Sequence, residues 1–167
     1  MLSSPKYEKW IDGIFSHQFS GIEGAIRSGK SVQACRAFAM LIVACEVQTD
    51  ALFIAGAVSE SMAQALIGEC GGFGLRFIFG SGCLYKKYRD KSALYIHYDV
   101  NGKTFTRWVI FAGGAKAGCE YAIRGLSIQG AMIEEINLQT QDFVNEVQNR
   151  MAVAKRPFLL YTMNPSM

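Results

Sequence analysis

An α/β domain with a mostly parallel sheet flanked by helices is what this 167-residue chain predicts. Three observations predict it. Strand-like and helix-like stretches alternate on both sides of a central hairpin. "ALFIAGA" (51–57) is an unbroken apolar run, the pattern of a parallel strand covered on both faces. A glycine loop, "GAIRSGKS" (24–31), lies between a short apolar strand and a long helical pattern.

Taken in order, residues 6–16 predict a short helix carrying Trp10, Ile14 and Phe15, and 18–23 a strand entering the glycine loop. From Gly29 to about Glu46 the pattern is helical and so apolar that the helix must be buried. After the 51–57 strand, Ser59 can cap a helix that runs to about Cys70 and ends at Gly71-Gly72. "LRFIF" (75–79) predicts a short strand. "SALYIHYDV" and "KTFTRWVIFAG" predict two more, joined by Asn101-Gly102, the preferred dipeptide of a tight hairpin. A loop with a short helix near 116–124 follows, then a strand over 127–135. Residues 140–154 predict a helix with Phe143, Val147 and Met151 four apart, and 157–164 a last strand.

Composition sets the outer limits. Half the residues are apolar and 19 % are charged, which fits one folded domain over 1–167 and argues against disorder. The net charge of +3 favours an anionic partner only weakly. Five cysteines (35, 45, 70, 83, 119) without CxxC spacing, and two histidines (17, 97), make no zinc set. They read as reduced thiols acting as small core residues, with His97 a surface or packed residue of the hairpin. The N-terminus lacks the apolar segment of a secretory signal, and the apolar run Ala37 to Cys45 is too short to cross a bilayer, so no membrane partner is expected.

The glycine loop carries the chemistry. Gly24, then four residues, then Gly29-Lys30-Ser31 satisfies G-x-x-x-x-G-K-[ST] with a strand before and a helix after. Glycines let backbone N–H groups curl around a phosphate, and the helix N-terminus adds partial positive charge. Lys30 would neutralise the β- and γ-phosphates and Ser31 would ligate Mg²⁺. A glycine-rich turn that merely opens a helix is the competing explanation. A second site follows from "AMIEE": an apolar strand ending in Glu134-Glu135 can place one carboxylate near the metal and the other against an attacking water. A solvated acidic pair would look the same in isolation. "LLYTMNP" puts Thr162 and Asn164 at the end of another apolar strand, where polar groups can touch the γ-phosphate or the water; ordinary Asn-Pro turn chemistry is the alternative.

Together these stretches resemble the N-terminal ATPase of the large terminase subunit of tailed double-stranded DNA bacteriophages. "GAIRSGKS" is similar to its Walker A loop, the segment 98–114 to the hairpin it carries before Walker B, "IRGLSIQGAMIEE" to its Walker B region, and "TMNP" to its coupling motif. The resemblance runs from about Phe19 to Pro165 and implies a P-loop NTPase fold of the ASCE type with an inserted β-hairpin before Walker B. It implies ATP and Mg²⁺ as cofactors, bound by Gly24, Ala25, Ile26, Arg27, Ser28, Gly29, Lys30 and Ser31, with Ser31 and Glu134 at the metal. It makes Glu135 the catalytic base, Arg27 a γ-phosphate sensor, and Thr162 and Asn164 the residues that couple hydrolysis to motion. Arg124 takes the place of a finger reaching a neighbouring subunit's site; an arginine that packs or pairs locally is the other reading. Glu134 stands where the family usually has Asp.

The implied function is hydrolysis of ATP to drive double-stranded DNA into a capsid. The implied partners are the portal protein, the small terminase subunit and further copies in a ring, in the cytoplasm of an infected bacterial host. The resemblance also implies that the chain is truncated after the coupling motif, without the nuclease domain, and that its glycine-loop strand is an uncovered edge. The rival readings are another P-loop enzyme, such as a helicase-like ATPase or a kinase, and a nucleotide-binding module without turnover. "YKKYRDK" (85–91) reads as a solvated loop, with a DNA contact as its alternative. Tyr7 and Trp10 read as staples of the first helix, with stacking on adenine as the alternative.

Overall fold

The computed structural model describes residues 5–25 and 27–165. Seven strands form one sheet: β1 (Phe19–Glu23), β2 (Ala51–Ala57), β3 (Cys83–Tyr88), β4 (Lys91–Val100), β5 (Lys103–Gly113), β6 (Gly130–Ile133) and β7 (Phe158–Met163), in the order β1-β7-β6-β2-β5-β4-β3. β1, β7, β6, β2 and β5 run parallel, and β4 and β3 continue the sheet antiparallel. The predicted fold class is therefore observed.

The two faces are covered differently. α1 (Pro5–Gly13), α2 (Lys30–Ala44), α3 (Glu60–Ala63, continued by a wider π turn over Gln64–Glu69) and α4 (Leu75–Phe79) accompany one face. Its core joins Phe38 of α2 to Phe53 and Phe158 of the sheet, three rings within 6.2 Å of one another. α5 (Gln141–Asn149) and the segment around Ile123–Ile128 cover the other, through Phe143, Val147 and Met151 against Ile54, Ile110 and Ile133. β2 is buried along its whole length, as its unbroken apolar run requires. Ser59 caps α3 by accepting from the Met62 N–H, and Thr140 caps α5 by accepting from that of Phe143.

Several expectations need correction. Residues 75–79 are helix α4, not a strand. A five-residue apolar run carries no period, and here the Gly74 carbonyl opens a helical turn by accepting from the Phe77 and Ile78 N–H groups. Residues 85–91 are not a loop: most of them form β3, which turns into β4 through Arg89 and Asp90, both in left-handed backbone (φ 47° and 67°). The hairpin around Asn101-Gly102 forms as predicted, but it is not a simple insertion. Its second strand, β5, pairs parallel with β2 from Ala51↔Arg107 to Ala57↔Gly113 and belongs to the main sheet. The 127–135 strand contracts to β6, and the 140–154 helix ends at Asn149.

One interior charge organises the amino-terminal half. Arg107 is fully buried, and its guanidinium donates to the backbone carbonyls of Ile42 (3.2 Å), Cys45 (2.8 Å) and Val47. The Ile42 and Cys45 carbonyls lie at the carboxyl end of α2 and Val47 just beyond it, so the cation sits at the helix's negative end. Among the described residues no helix is long and apolar enough to cross a membrane. Cys35 and Cys83 are buried, as expected of core thiols, while Cys45, Cys70 and Cys119 are half-buried.

Candidate functional site

The parallel strands all end on one side of the sheet, and Lys30, Glu134, Glu135, Thr162 and Asn164 gather there. β1 leads into the glycine loop, whose Gly24 N–H donates to the Met163 carbonyl at 3.3 Å, fastening the start of the loop to β7. A side chain at Gly24 would meet the Ser28 hydroxyl at 2.8 Å, so a larger residue there obliges the Ser28 side chain to turn away. Gly29 precedes α2 in left-handed backbone (φ 81°), which favours glycine. Arg27 shares that conformation (φ 64°) without glycine's freedom, a cost of about 1 kcal/mol or more held at this loop. Arg27 and Ser28 are exposed, and Ile26 lies outside the described residues.

Lys30 is 6 % exposed and points across the site. Its Nζ donates to Asn164 Oδ1 at 2.7 Å and to the Ala25 carbonyl at 3.4 Å. Asn164 Nδ2 in turn donates to Glu135 Oε1 at 2.8 Å. One amide at the end of β7 therefore bridges the loop lysine and the second glutamate.

Glu134 and Thr162 form a second link, one strand over. Glu134 is 2 % exposed and Thr162 fully buried. The Thr162 hydroxyl donates to Glu134 Oε2 at 2.6 Å and accepts from the Glu135 N–H at 2.9 Å. The β6–β7 register, with Ile133 beside Tyr161, makes this pairing automatic. Burial pushes the Glu134 carboxyl above the usual glutamate range; the Thr162 and Ser31 hydroxyls and the Lys30 ammonium oppose that rise, and Glu135 adds to it. Glu134 Oε1 is buried with no hydrogen-bond partner among the described residues. Glu135 itself is in left-handed backbone (φ 50°, ψ 57°), strain that turns its carboxylate toward Asn164.

Mg²⁺ suits this donor set. An orphaned buried carboxylate oxygen beside the Ser31 hydroxyl is what a hard cation needs, and Mg²⁺ takes only one or two protein oxygens beside phosphate and water. No cluster of three or more His, Cys, Asp or Glu side chains suited to a metal occurs among the described residues.

Arg124 is not part of this assembly. It lies in the segment between β5 and β6, exposed, with its guanidinium 4.1 Å from the Tyr121 ring centroid. A separate cavity of about 770 Å³, lined by His17, Glu46, Lys155 and Phe158, sits toward the amino ends of the strands, away from the glycine loop.

Two contacts are not foreseen by the sequence, which reads Tyr7 only as a staple of the first helix or a stack on adenine. Tyr7 is buried and its hydroxyl donates to the Ser28 carbonyl at 2.9 Å, with Ser28 Oγ at 3.4 Å, so α1 braces the glycine loop. Gln139 Nε2 donates to the carbonyls of Glu134 (3.1 Å) and Glu135 (3.3 Å), holding the turn that presents both acids. Neither bond has a signature in residue spacing.

Solved structures that share this seven-stranded α/β fold include phage large terminases. The large terminase of a thermophilic bacteriophage superposes with a TM-score of 0.77 at 20 % identity, over 99 % of this chain and 40 % of that one. The same terminase in complex with ADP gives 0.75 at 22 % identity, over 98 % and 39 %. The large terminase ATPase domain of Thermus phage P74-26 gives 0.60 at 14 % identity, over 99 % and 71 %. The fold is thus that of the large terminase ATPase domain, and the chain spans about 40 % of the length of the thermophilic phage protein. No family model matches, and no curated protein matches.

Proposed function

We propose that the chain is the ATPase engine of a phage DNA-packaging motor, hydrolysing ATP to translocate double-stranded DNA. The observation that carries this is the bridge Lys30–Asn164–Glu135 at the mouth of the glycine loop. It brings a phosphate-binding cation and a candidate base to one point, and joins both to the strand that follows them in the sequence.

Nucleotide enters at the glycine loop, beside the carboxyl ends of β1 and β7. Its β- and γ-phosphates draw the Lys30 ammonium from Asn164 Oδ1. Released on that side, the Asn164 amide still holds Glu135 Oε1 and so aims the carboxylate at a water in line with the γ-phosphorus. Glu135 takes the proton of that water as the new P–O bond forms and the bond to the β-phosphate oxygen breaks. Bound Mg²⁺, held by Ser31 and Glu134, would spread the charge on the phosphate oxygens. Buried Thr162 ties Glu134 to the Glu135 N–H, so a shift of either acid is transmitted to β7. Arg27, exposed on the loop, would sense the γ-phosphate.

In this reading Arg124 serves a neighbouring copy in a ring, which suits its exposure. The portal protein and the small terminase subunit are the partners the reading brings, in the cytoplasm of an infected bacterium. The test is phosphate release with and without duplex DNA. DNA-stimulated release that requires Lys30 supports the motor. Phosphate transfer to a small molecule, indifferent to DNA, points to a kinase and overturns it.

A further inference from the structure

The antiparallel end of the sheet carries an open row of rings. Strand alternation puts Lys86 and Tyr88 of β3, Lys91, Tyr95 and His97 of β4, and Thr106 and Trp108 of β5 on one face. Tyr88 and Trp108 have ring centroids 5.3 Å apart, Trp108 and Tyr95 4.9 Å, and Tyr95 and His97 5.9 Å. Helix α4 packs on the opposite face, where Phe79 stacks on Tyr98. Tyr88, Tyr95 and Trp108 are half-buried, and Lys86 and His97 exposed.

Cations edge this row. Lys86 Nζ lies 4.7 Å from the Tyr95 centroid and Arg89 Cζ 5.3 Å from that of Tyr88, with Lys91 paired opposite Tyr88. Two acids face the same side, and both are engaged. Asp50 accepts from Trp108 Nε1 at 3.2 Å, and Asp99 accepts from the Thr104 hydroxyl at 2.6 Å. The balance at the β3 end is positive.

We propose that this face binds nucleic acid through unpaired bases. Half-buried rings inclined at 53–57° to one another, with ammonium and guanidinium groups along their rim, can each take an unpaired base against an edge or face while the phosphates follow the lysines. A paired duplex hides its base faces and could use only the cations. The occupant is therefore a single-stranded stretch, such as a frayed or processed end, rather than the duplex that the proposed motor moves. The inference is independent of nucleotide at Lys30, and its test is run without ATP, so neither failure implies the other.

The test is fluorescence anisotropy with a labelled thymidine oligonucleotide and a blunt duplex of equal length. The single strand binds more tightly than the duplex. Tyr88→Ala and Tyr95→Ala each weaken it about tenfold, Tyr95→Phe restores it, and joint Lys86→Gln and Lys91→Gln flattens the salt dependence. Because a truncated ring can harm folding, a Trp10→Phe variant supplies a second reading. Of the chain's two tryptophans only Trp108 then remains, and the oligonucleotide quenches its emission. Equal affinity for the duplex, unchanged binding by folded Tyr→Ala variants, or unquenched Trp108 at saturation would overturn the proposal.

Discussion

Lys30 and Asn164, 134 positions apart, meet at 2.7 Å across the end of the sheet. The same asparagine holds Glu135 through its other amide atom. In the proposed reaction the asparagine would be a stand-in for phosphate at the lysine and a guide for the base. Asn164→Ala is expected to lower kcat by about 10²-fold while changing the KM for ATP much less, because a misaimed base costs far more than a lost ground-state contact. Steady-state kinetics against ATP concentration separate the two parameters.

Glu134 is a buried carboxyl group with one oxygen lacking a hydrogen-bond partner among the described residues, and such a group destabilises the chain. Glu134→Gln keeps the volume and removes the charge. Metal-free, the variant should melt about 2–4 °C higher, the shift that about 1 kcal/mol produces at this size. With ATP it should lose the stabilisation by Mg²⁺ that the parent shows. Calorimetry with and without Mg²⁺ and ATP reads both effects.

Tyr7 gives a prediction that no motif contains. Its hydroxyl donates to the Ser28 carbonyl, so Tyr7→Phe removes one partly buried hydrogen bond without removing the ring. The net loss is about 1 kcal/mol. Felt in loop order, that raises the KM for ATP about fivefold and leaves kcat near its parent value. Titration with a fluorescent ATP analogue measures it. An equal fall in kcat would mean that α1 acts on the chemical step instead.

Cys83 supplies a pH test. Burial pushes its thiol up to about 11, against an ordinary value of 9.0, with Arg76 opposing the rise and Glu69 adding to it. The folded chain keeps a proton there that the unfolded chain loses. The stabilisation is complete below about pH 9 and disappears as pH climbs toward 11. Cys83→Ala should flatten this part of the stability curve in denaturant titrations. In the parent, alkylation of Cys83 at pH 8 should lag far behind that of an unfolded thiol.

The legible parts of the sequence were those where local pattern and final environment agree. The glycine loop, the unbroken run of β2 and the Asn101-Gly102 turn each impose one backbone geometry, and each formed. Glu134, Glu135, Thr162 and Asn164 were found because they end apolar strands, and parallel strands deliver their ends to one place. What failed was short or depended on distant partners. Leu75–Phe79 had too few residues to show a period. β3 was hidden by its charges, which suit an edge strand as well as a loop. The Tyr7–Ser28 brace, the Gln139 contacts and buried Arg107 at the end of α2 are long-range or side-chain-to-backbone events that spacing does not encode.

The most direct measurement is the fate of γ-labelled ATP on the parent chain, on Lys30→Ala and on Glu135→Gln, with duplex DNA present. The account predicts that the parent releases labelled phosphate, that Glu135→Gln retains intact ATP with its turnover reduced at least about 10²-fold, and that Lys30→Ala fails to hold ATP. Phosphate release by Glu135→Gln at the parent's rate, or nucleotide bound equally well without Lys30, would contradict it.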